Sequence, residues 1–303
     1  GQLASSGLLT VHGGAVSFAW SGENCLRRRS ERLPDREADA SSDVAPLGFT
    51  GRPSTMRRIM GQLAIIKTGS TMASLARKRG DFEHWILAGM GLSTAAPSVC
   101  VVDVVAGQPL PAYHTLAGAV ITGSHDMVTD RLPWSERVAD WLPGLIDRRV
   151  PVLGICYGHQ LLAYALGGRV EDNPQGRSFG STDVTLTPAA AGDPLLGGLP
   201  SPFGAYVSHT QSVVELPPGA RRLAASPRDP HHAFVVGRQA WGVQFHPEFD
   251  AEIAAAYIHL LRDALQTDGQ DAAALLAGCA PQSPAGTVLA RFAALAMSGD
   301  SSA

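Results

Sequence analysis

The residues around Cys156 constrain the fold more than any other part of the sequence. An apolar run at 150–155 predicts a buried strand, and a second run at 160–166 predicts a helix. Cys156 lies between them, flanked by Gly154 and Gly158. A nucleophile at the tight turn between a strand and a helix is the arrangement called a nucleophile elbow. The helix start beside the sulfur favours the thiolate, the reactive form of cysteine.

The composition is that of an ordinary globular protein. Hydrophobic residues make up 45% of the 303-residue chain and charged residues 17%, and the net charge of −3 gives no reason to expect nucleic acid or an anionic membrane as partner. The four cysteines are far apart, with no C-x-x-C pair. They therefore form neither a disulfide framework nor a zinc pattern, and a cytoplasmic location is expected. No apolar run reaches the roughly 18 residues of a membrane helix.

The chain divides into three predicted segments. Residues 1–55 lack clear periodicity and carry a charged cluster at 27–32, so a disordered or non-native N-terminal extension is expected there. Residues 56–265 carry the regular patterns of a single domain. Residues 266–303 are interpreted as a C-terminal extension that ends in a helix near 288–297.

Strand and helix patterns alternate in the first half of the domain, with strands predicted at 63–67, 99–105, 119–122 and 150–155 and helices at 74–87, 133–146 and 160–166. The second half is richer in strands, which are predicted at 181–186, 205–208, 222–225, 232–236 and 241–245. A helix capped by Asp250 follows them. This order predicts an α/β fold, with helices on both faces of a mostly parallel sheet.

A base for the thiol is predicted 90 residues downstream of Cys156. His246 and Glu248 come directly after the last predicted strand. Side chains two apart on an extended chain point the same way, so Glu248 can hydrogen-bond one imidazole nitrogen and leave the other facing the thiol. The three residues supply a nucleophile, a base and an orienting carboxylate.

No metal site is expected from the sequence. Asp229, His231 and His232 lie close together, but their spacing fits no zinc template. A surface turn is the interpretation preferred for them.

The motif G-I-C-Y-G-H-Q at 154–160, together with H-P-E at 246–248, resembles the class I, or triad, glutamine amidotransferases. The subgroup it resembles most is that of the stand-alone proteins similar to the glutaminase domain of GMP synthetase, over about residues 60–265. The resemblance implies the flavodoxin-like three-layer α/β/α sandwich of that family. It also implies Cys156 as nucleophile, His246 as general base and acid, and Glu248 as its partner, with no metal or organic cofactor.

The same resemblance implies further site residues. The oxyanion hole would use the backbone N–H groups of Tyr157 and Gly123, although the sequence here is Thr-Gly-Ser-His-Asp in place of the usual Gly-Gly-Pro. Gln160 would help to hold the bound glutamine. Ser208 and His209 resemble the family's Ser-His segment, whose backbone meets the substrate's α-amino and carboxylate groups.

The implied activity is hydrolysis of the glutamine γ-amide through a γ-glutamyl thioester. It would release glutamate, and ammonia for an unidentified acceptor, and the partner would be a synthetase subunit. The sequence contains no pyrophosphate-binding Ser-Gly-Gly-x-Asp-Ser loop that would consume the ammonia. A stand-alone γ-glutamyl hydrolase or peptidase is an alternative, and a catalytically silent binding module is a second one. A cysteine α/β-hydrolase is disfavoured, because in that fold the acid normally precedes the histidine.

Overall fold

The computed structural model describes residues 61–279 and 284–298, so the predicted extension at 1–55 lies outside the described residues. The strands are β1 Gln62–Lys67, β2 Val99–Asp103, β3 Leu116–Ile121, β4 Val152–Ile155, β5 Arg169–Asp172, β6 Ser178–Leu186, β7 Phe203–His209, β8 Gln211–Glu215, β9 Ala220–Ser226, β10 Asp229–Val236 and β11 Ala240–Val243. The helices are α1 Ala73–Arg79, α2 Phe82–Gly89, α3 Pro133–Asp147, α4 Tyr157–Ala165, α5 Ala251–Leu260, α6 Arg262–Thr267, α7 Ala272–Ala277 and α8 Thr287–Ser298.

A nine-stranded mixed sheet organises the fold, in the order β2-β1-β3-β4-β11-β10-β9-β6-β7. In this order, neighbouring strands from β2 to β11 pair in parallel. Strand β10 pairs antiparallel with β11 and β9, and β6 pairs antiparallel with β9 and β7. The predicted α/β fold is therefore confirmed. The carboxyl ends of β3, β4 and β11 lie side by side, which is where parallel sheets place their binding sites.

Helices cover both faces of the sheet, so each central strand is buried on both sides. Leu63 and Ile65 of β1 belong to the same hydrophobic cluster as residues of α2, α5 and α8, whereas the alternating Ala64 and Ile66 belong to a second cluster with residues of α3 and α4. The result is a three-layer sandwich with one hydrophobic cluster on each face.

The region predicted as one helix at 74–87 contains two. Helix α1 ends at Gly80, whose φ of 80° is unfavourable for residues with a side chain. Asp81 then begins α2 with a capping box that also uses His84. The two-stranded sheet of β5 and β8 was not predicted.

The C-terminal helix α8 belongs to the hydrophobic core. Val288, Leu289 and Phe292 are fully buried in the same cluster as α2 and β3. A methyl group on Gly118 of β3 would lie 2.8 Å from Cβ of Ala296, so this glycine lets the helix approach the sheet closely. Among the described residues, no helix is long and apolar enough to cross a membrane.

Gly158 gives a test of the packing at the start of α4. A Cβ atom at this position would overlap the carbonyl oxygen of Ile121 on β3. We expect Gly158→Ala to lower the free energy of unfolding by about 1–3 kcal/mol, as overpacking does in other cores. Urea unfolding followed by tryptophan fluorescence measures the change.

Gly192→Ala is the matched control, because a Cβ atom there would have no heavy atom within 4 Å. Its stability should stay within about 0.5 kcal/mol of the wild type. Equal stability of the two variants would contradict the close contact between α4 and β3.

Candidate active site

Cys156 occupies a strained turn between β4 and α4. Its φ of 51° and ψ of −98° lie in a region that residues with side chains rarely adopt. Its backbone N–H donates to the carbonyl of Val243 on β11, at 2.9 Å. The side chain is 4% exposed, and the thiol lies 3.8 Å from the Ser208 carbonyl oxygen. The sequence therefore folds here as an elbow that fixes the sulfur at the N-terminus of a helix.

His246 and Glu248 lie beside this sulfur. Nδ1 of His246 and Oε1 of Glu248 are 2.7 Å apart, and both side chains are buried. The His246 backbone N–H donates to the Tyr206 carbonyl at 2.9 Å, and the imidazole stacks on Phe249 with ring centroids 4.1 Å apart. The ring is thus held in one orientation, with its other nitrogen available to the thiol.

Two opposing effects act on the imidazole of His246. Burial acts to lower its pKa, but the charge of Glu248 and the charge and hydrogen bond of Cys156 outweigh it and raise the pKa well above the ordinary value. At neutral pH the geometry therefore favours a protonated His246 imidazole beside the Cys156 thiol. Such a pair can attack a carbonyl carbon and then protonate the leaving group.

The space between these side chains is bordered by Gly123, at the end of β3. A methyl group on Gly123 would lie 3.3 Å from Cε1 of His246 and 4.0 Å from Cβ of Cys156. Within the described part of the chain, the N–H groups of Gly123 and Tyr157 donate to no acceptor. Two unused donors beside a nucleophile are what an oxyanion hole requires.

A buried pair of threonines holds the Gly123 peptide in place. The hydroxyl of Thr68 donates to the Thr122 carbonyl at 2.9 Å, and the Thr68 N–H donates to the Thr122 hydroxyl at 3.0 Å. The Thr122 carbonyl also accepts from the Gly158 N–H at 3.2 Å. Because a peptide is planar, fixing this carbonyl also fixes the direction of the Gly123 N–H on its opposite side. Sequence reasoning missed Thr68, which carries no recognisable motif.

Gln160 lies in the site region, but its amide is used within the protein. Its Nε2 donates to the Gln211 carbonyl at 2.7 Å and to Oε1 of Gln244 at 3.1 Å. Nε2 of Gln244 in turn lies 3.6 Å from the Cys156 sulfur. Gln160 thus orients Gln244, a neighbour of the thiol that sequence reasoning also missed. Its position two residues before His246 was the available signal.

The structure places Ser208 and His209 at the end of β7. The Ser208 carbonyl faces the thiol, whereas the His209 imidazole is buried and bonds the Gln211 carbonyl through Nδ1 at 2.9 Å.

The prediction of a surface turn around Asp229 was wrong. Asp229 and His232 belong to β10 and are 1% and 0% exposed, because the strand begins earlier than its apolar run indicated.

A sequence model described as glutamine amidotransferase class-I matches residues 115–260 of this chain. The chain is also 35% identical, over 167 residues, to a protein of Natronomonas pharaonis that is named as one subunit of a glutamine-hydrolyzing GMP synthase; the match covers 55% of this chain and 80% of that protein. The chain belongs to the class I glutamine amidotransferases. It is accordingly an enzyme of that class, similar to GMP synthases.

Other relatives are longer. The glutamine-hydrolyzing GMP synthase of Aeropyrum pernix is 39% identical over 142 residues, which are 47% of this chain but 25% of that protein. The fold resembles that of a glutamine amidotransferase from Thermotoga maritima, with a TM-score of 0.59 and 20% identity over 77% of this chain and 96% of that one. A glutamine amidotransferase from Methylobacillus flagellatus gives a TM-score of 0.57 and 23% identity over 79% and 94%.

Thr68→Val tests the support of the Gly123 peptide. The substitution keeps the shape of the side chain but removes the hydroxyl that bonds the Thr122 carbonyl. We expect kcat to fall by about tenfold with little change in KM, because a misdirected donor weakens transition-state stabilisation more than substrate binding. Steady-state kinetics measure both constants, and Thr68→Ser should restore kcat.

Thr71→Val is the control for this experiment. Its hydroxyl is also buried and lies 2.8 Å from the Tyr257 hydroxyl. It should lose stability as Thr68→Val does, by about 1 kcal/mol, while keeping kcat. An equal loss of kcat in the two variants would mean that Thr68 has only a structural effect.

Glu248→Gln tests the charge state of His246. Without the carboxylate, burial is opposed less strongly, so the pKa of His246 should fall toward or below its ordinary value. The imidazolium that protonates the leaving group should then be lost at lower pH, and the alkaline limb of the kcat/KM profile should move in the acidic direction. Glu252→Gln, which removes an exposed carboxylate, should leave the profile unchanged. An unshifted limb in Glu248→Gln would show that Glu248 does not set this pKa.

Proposed function

We propose that this chain hydrolyses the side-chain amide of glutamine and delivers the ammonia to a separate synthetase subunit. The arrangement of Cys156, His246 and Glu248 beside the free N–H groups of Gly123 and Tyr157 carries this proposal. It supplies a nucleophile, a proton carrier with a fixed orientation, and two donors for an oxyanion. These groups meet the needs of amide hydrolysis without a metal or an organic cofactor in the chemical steps.

The first half of the reaction forms a thioester. The Cys156 thiolate attacks the γ-carboxamide carbon, and the carbonyl oxygen becomes an oxyanion that accepts from the Gly123 and Tyr157 N–H groups. The His246 imidazolium transfers its proton to the amide nitrogen. The C–N bond then breaks, ammonia leaves, and a γ-glutamyl thioester on Cys156 remains.

The second half releases glutamate. His246, now neutral, removes a proton from a water molecule as that water attacks the thioester carbon. The same two donors hold the second oxyanion. The C–S bond breaks, glutamate leaves, and the thiolate–imidazolium pair is restored. Glu248 stabilises the imidazolium in both halves through its 2.7 Å contact with Nδ1.

The name of a relative supports a synthetase subunit as the partner. The Natronomonas pharaonis relative is named as one subunit of a GMP synthase, and this chain covers 80% of it. The relatives named simply as GMP synthase are longer, and this chain spans 25% of the one from Aeropyrum pernix. From the subunit name of the Natronomonas pharaonis relative, we infer that this chain supplies ammonia to a synthetase partner, with GMP formation as the reaction that this name indicates.

A stand-alone γ-glutamyl hydrolase or peptidase would use the same groups. The two activities differ in the leaving group, which is ammonia from glutamine but an amine or a peptide from a larger γ-glutamyl substrate. A comparison of glutamine with larger γ-glutamyl substrates therefore distinguishes the two activities.

A product assay of the purified full chain tests the proposal. The chain is given L-glutamine and, separately, a panel of γ-glutamyl amides and peptides, and glutamate and ammonia are measured. We expect glutamine to be the best substrate, with glutamate and ammonia in equal amounts. Addition of the companion synthetase should increase the rate. Cys156→Ala should lower turnover by more than about 10³-fold, because it removes the nucleophile.

The other outcomes decide between the alternatives. Fast cleavage of a γ-glutamyl peptide with glutamine a poor substrate would establish the hydrolase instead. Turnover that survives in Cys156→Ala would refute the mechanism. Absence of turnover on every substrate, with and without the synthetase, would indicate a binding module.

A further inference from the structure

A second group of titratable side chains lies buried outside the triad. His209 ends β7, and Asp229 and His232 belong to β10. One candidate ligand atom from each residue lies within 4.8 Å of the other two. Their exposed fractions are 6%, 1% and 0%. Strands β9 and β6 separate β7 from β10 in the sheet, so the cluster joins strands that do not pair with each other.

The hydrogen bonds of the cluster leave the facing atoms unused. Nδ1 of His209 bonds the Gln211 carbonyl at 2.9 Å, and Oδ1 of Asp229 accepts from the His231 N–H at 2.9 Å. Nε2 of His209, Oδ2 of Asp229 and both ring nitrogens of His232 are buried without a hydrogen-bond partner. Metal-binding histidines typically donate their second nitrogen to a backbone carbonyl, as His209 does here.

The charge of the cluster also favours a cation. Nδ1 of His209 donates to the Gln211 carbonyl, so the neutral ring has its lone pair on Nε2. In the described part of the chain, Asp229 forms an ion pair with neither lysine nor arginine. Nδ1 of His232 is 3.8 Å from Oδ2 of Asp229, too far for a hydrogen bond but suited to a shared ion.

We propose that His209, Asp229 and His232 bind a divalent first-row transition metal ion, with Zn²⁺ the expected occupant. Two imidazoles and one carboxylate are a common donor set for such ions. One ion would satisfy the unused atoms of all three side chains and would neutralise the buried carboxylate. The ring of Phe245 stacks against His232, with centroids 5.9 Å apart, and forms an apolar wall of the site.

The role of the ion is structural. All three ligands are buried, and His209 directly follows Ser208, whose carbonyl faces the Cys156 thiol at 3.8 Å. A metal link from β10 to the end of β7 would therefore hold this carbonyl in place. No metal signature was visible in the sequence, because the ligands come from two strands and do not follow the short ligand spacing of zinc motifs.

Metal analysis of the full chain tests this proposal. The chain is purified without a histidine tag, and its zinc content is measured by mass spectrometry. The metal is then removed with a chelator, and Zn²⁺ is titrated back by calorimetry. We expect one Zn²⁺ per chain and a higher melting temperature with metal than without it.

Variants locate the ion. His232→Gln and Asp229→Asn should each raise the Kd for Zn²⁺ by more than about tenfold. His231→Gln is the matched control, because this neighbouring imidazole bonds the Val213 carbonyl at 2.8 Å and lies outside the cluster. It should keep the metal and the affinity of the wild type. The wild-type titration decides the question even if a cluster variant does not fold.

A cobalt spectrum separates this site from the thiol. Co²⁺ bound to imidazole and carboxylate gives weak visible bands, whereas a thiolate ligand adds an intense near-ultraviolet band. We expect the first spectrum, and we expect it to remain in Cys156→Ala. A chain that contains no metal and binds none, or one that loses its metal in Cys156→Ala, would overturn the proposal.

Discussion

The left-handed backbone of Cys156 is the constraint on which the rest of the active site depends. A φ of 51° at a residue with a side chain costs about 1–3 kcal/mol, and the surrounding structure must hold it. Two hydrogen bonds do so from opposite sides: the Cys156 N–H donates to Val243 on β11, and the Gly158 N–H donates to Thr122 after β3. The elbow is thereby fixed to both strands that flank β4.

The same two strands deliver the other parts of the site. Gly123 follows β3, and His246 follows β11, so both arrive at the carboxyl edge where Cys156 lies. This convergence results from parallel pairing, because neighbouring parallel strands end at one edge of the sheet. Membership in the class I glutamine amidotransferases is consistent with such a scaffold, in which residues just after the strands form the candidate site.

The buried imidazoles of this protein differ because of the groups that face them. Burial acts to lower the pKa of both His246 and His209. In His246 this effect is outweighed by the Glu248 carboxylate at 2.7 Å and the Cys156 thiol beside the ring, so the net shift of its pKa is upward. His209 faces His232 as well as Asp229, and its pKa falls to about 4, with burial as the main cause. One imidazole is therefore suited to carry protons and the other to offer a lone pair.

Local sequence determined the elements that carry the chemistry. The glycines around Cys156 predicted the elbow, and the two-residue spacing of His246 and Glu248 predicted their contact, because both depend on neighbours along the chain. The apolar runs likewise predicted the strands of the parallel half. Only the tertiary structure revealed the role of Thr68, which bonds a peptide 54 residues away, or the contact of Gln244 with the thiol. The burial of Asp229 was also invisible in the sequence, since a short polar stretch is buried or exposed according to what packs over it. Contacts between distant residues follow from how the strands assemble in the sheet, and that order is not encoded in any local pattern.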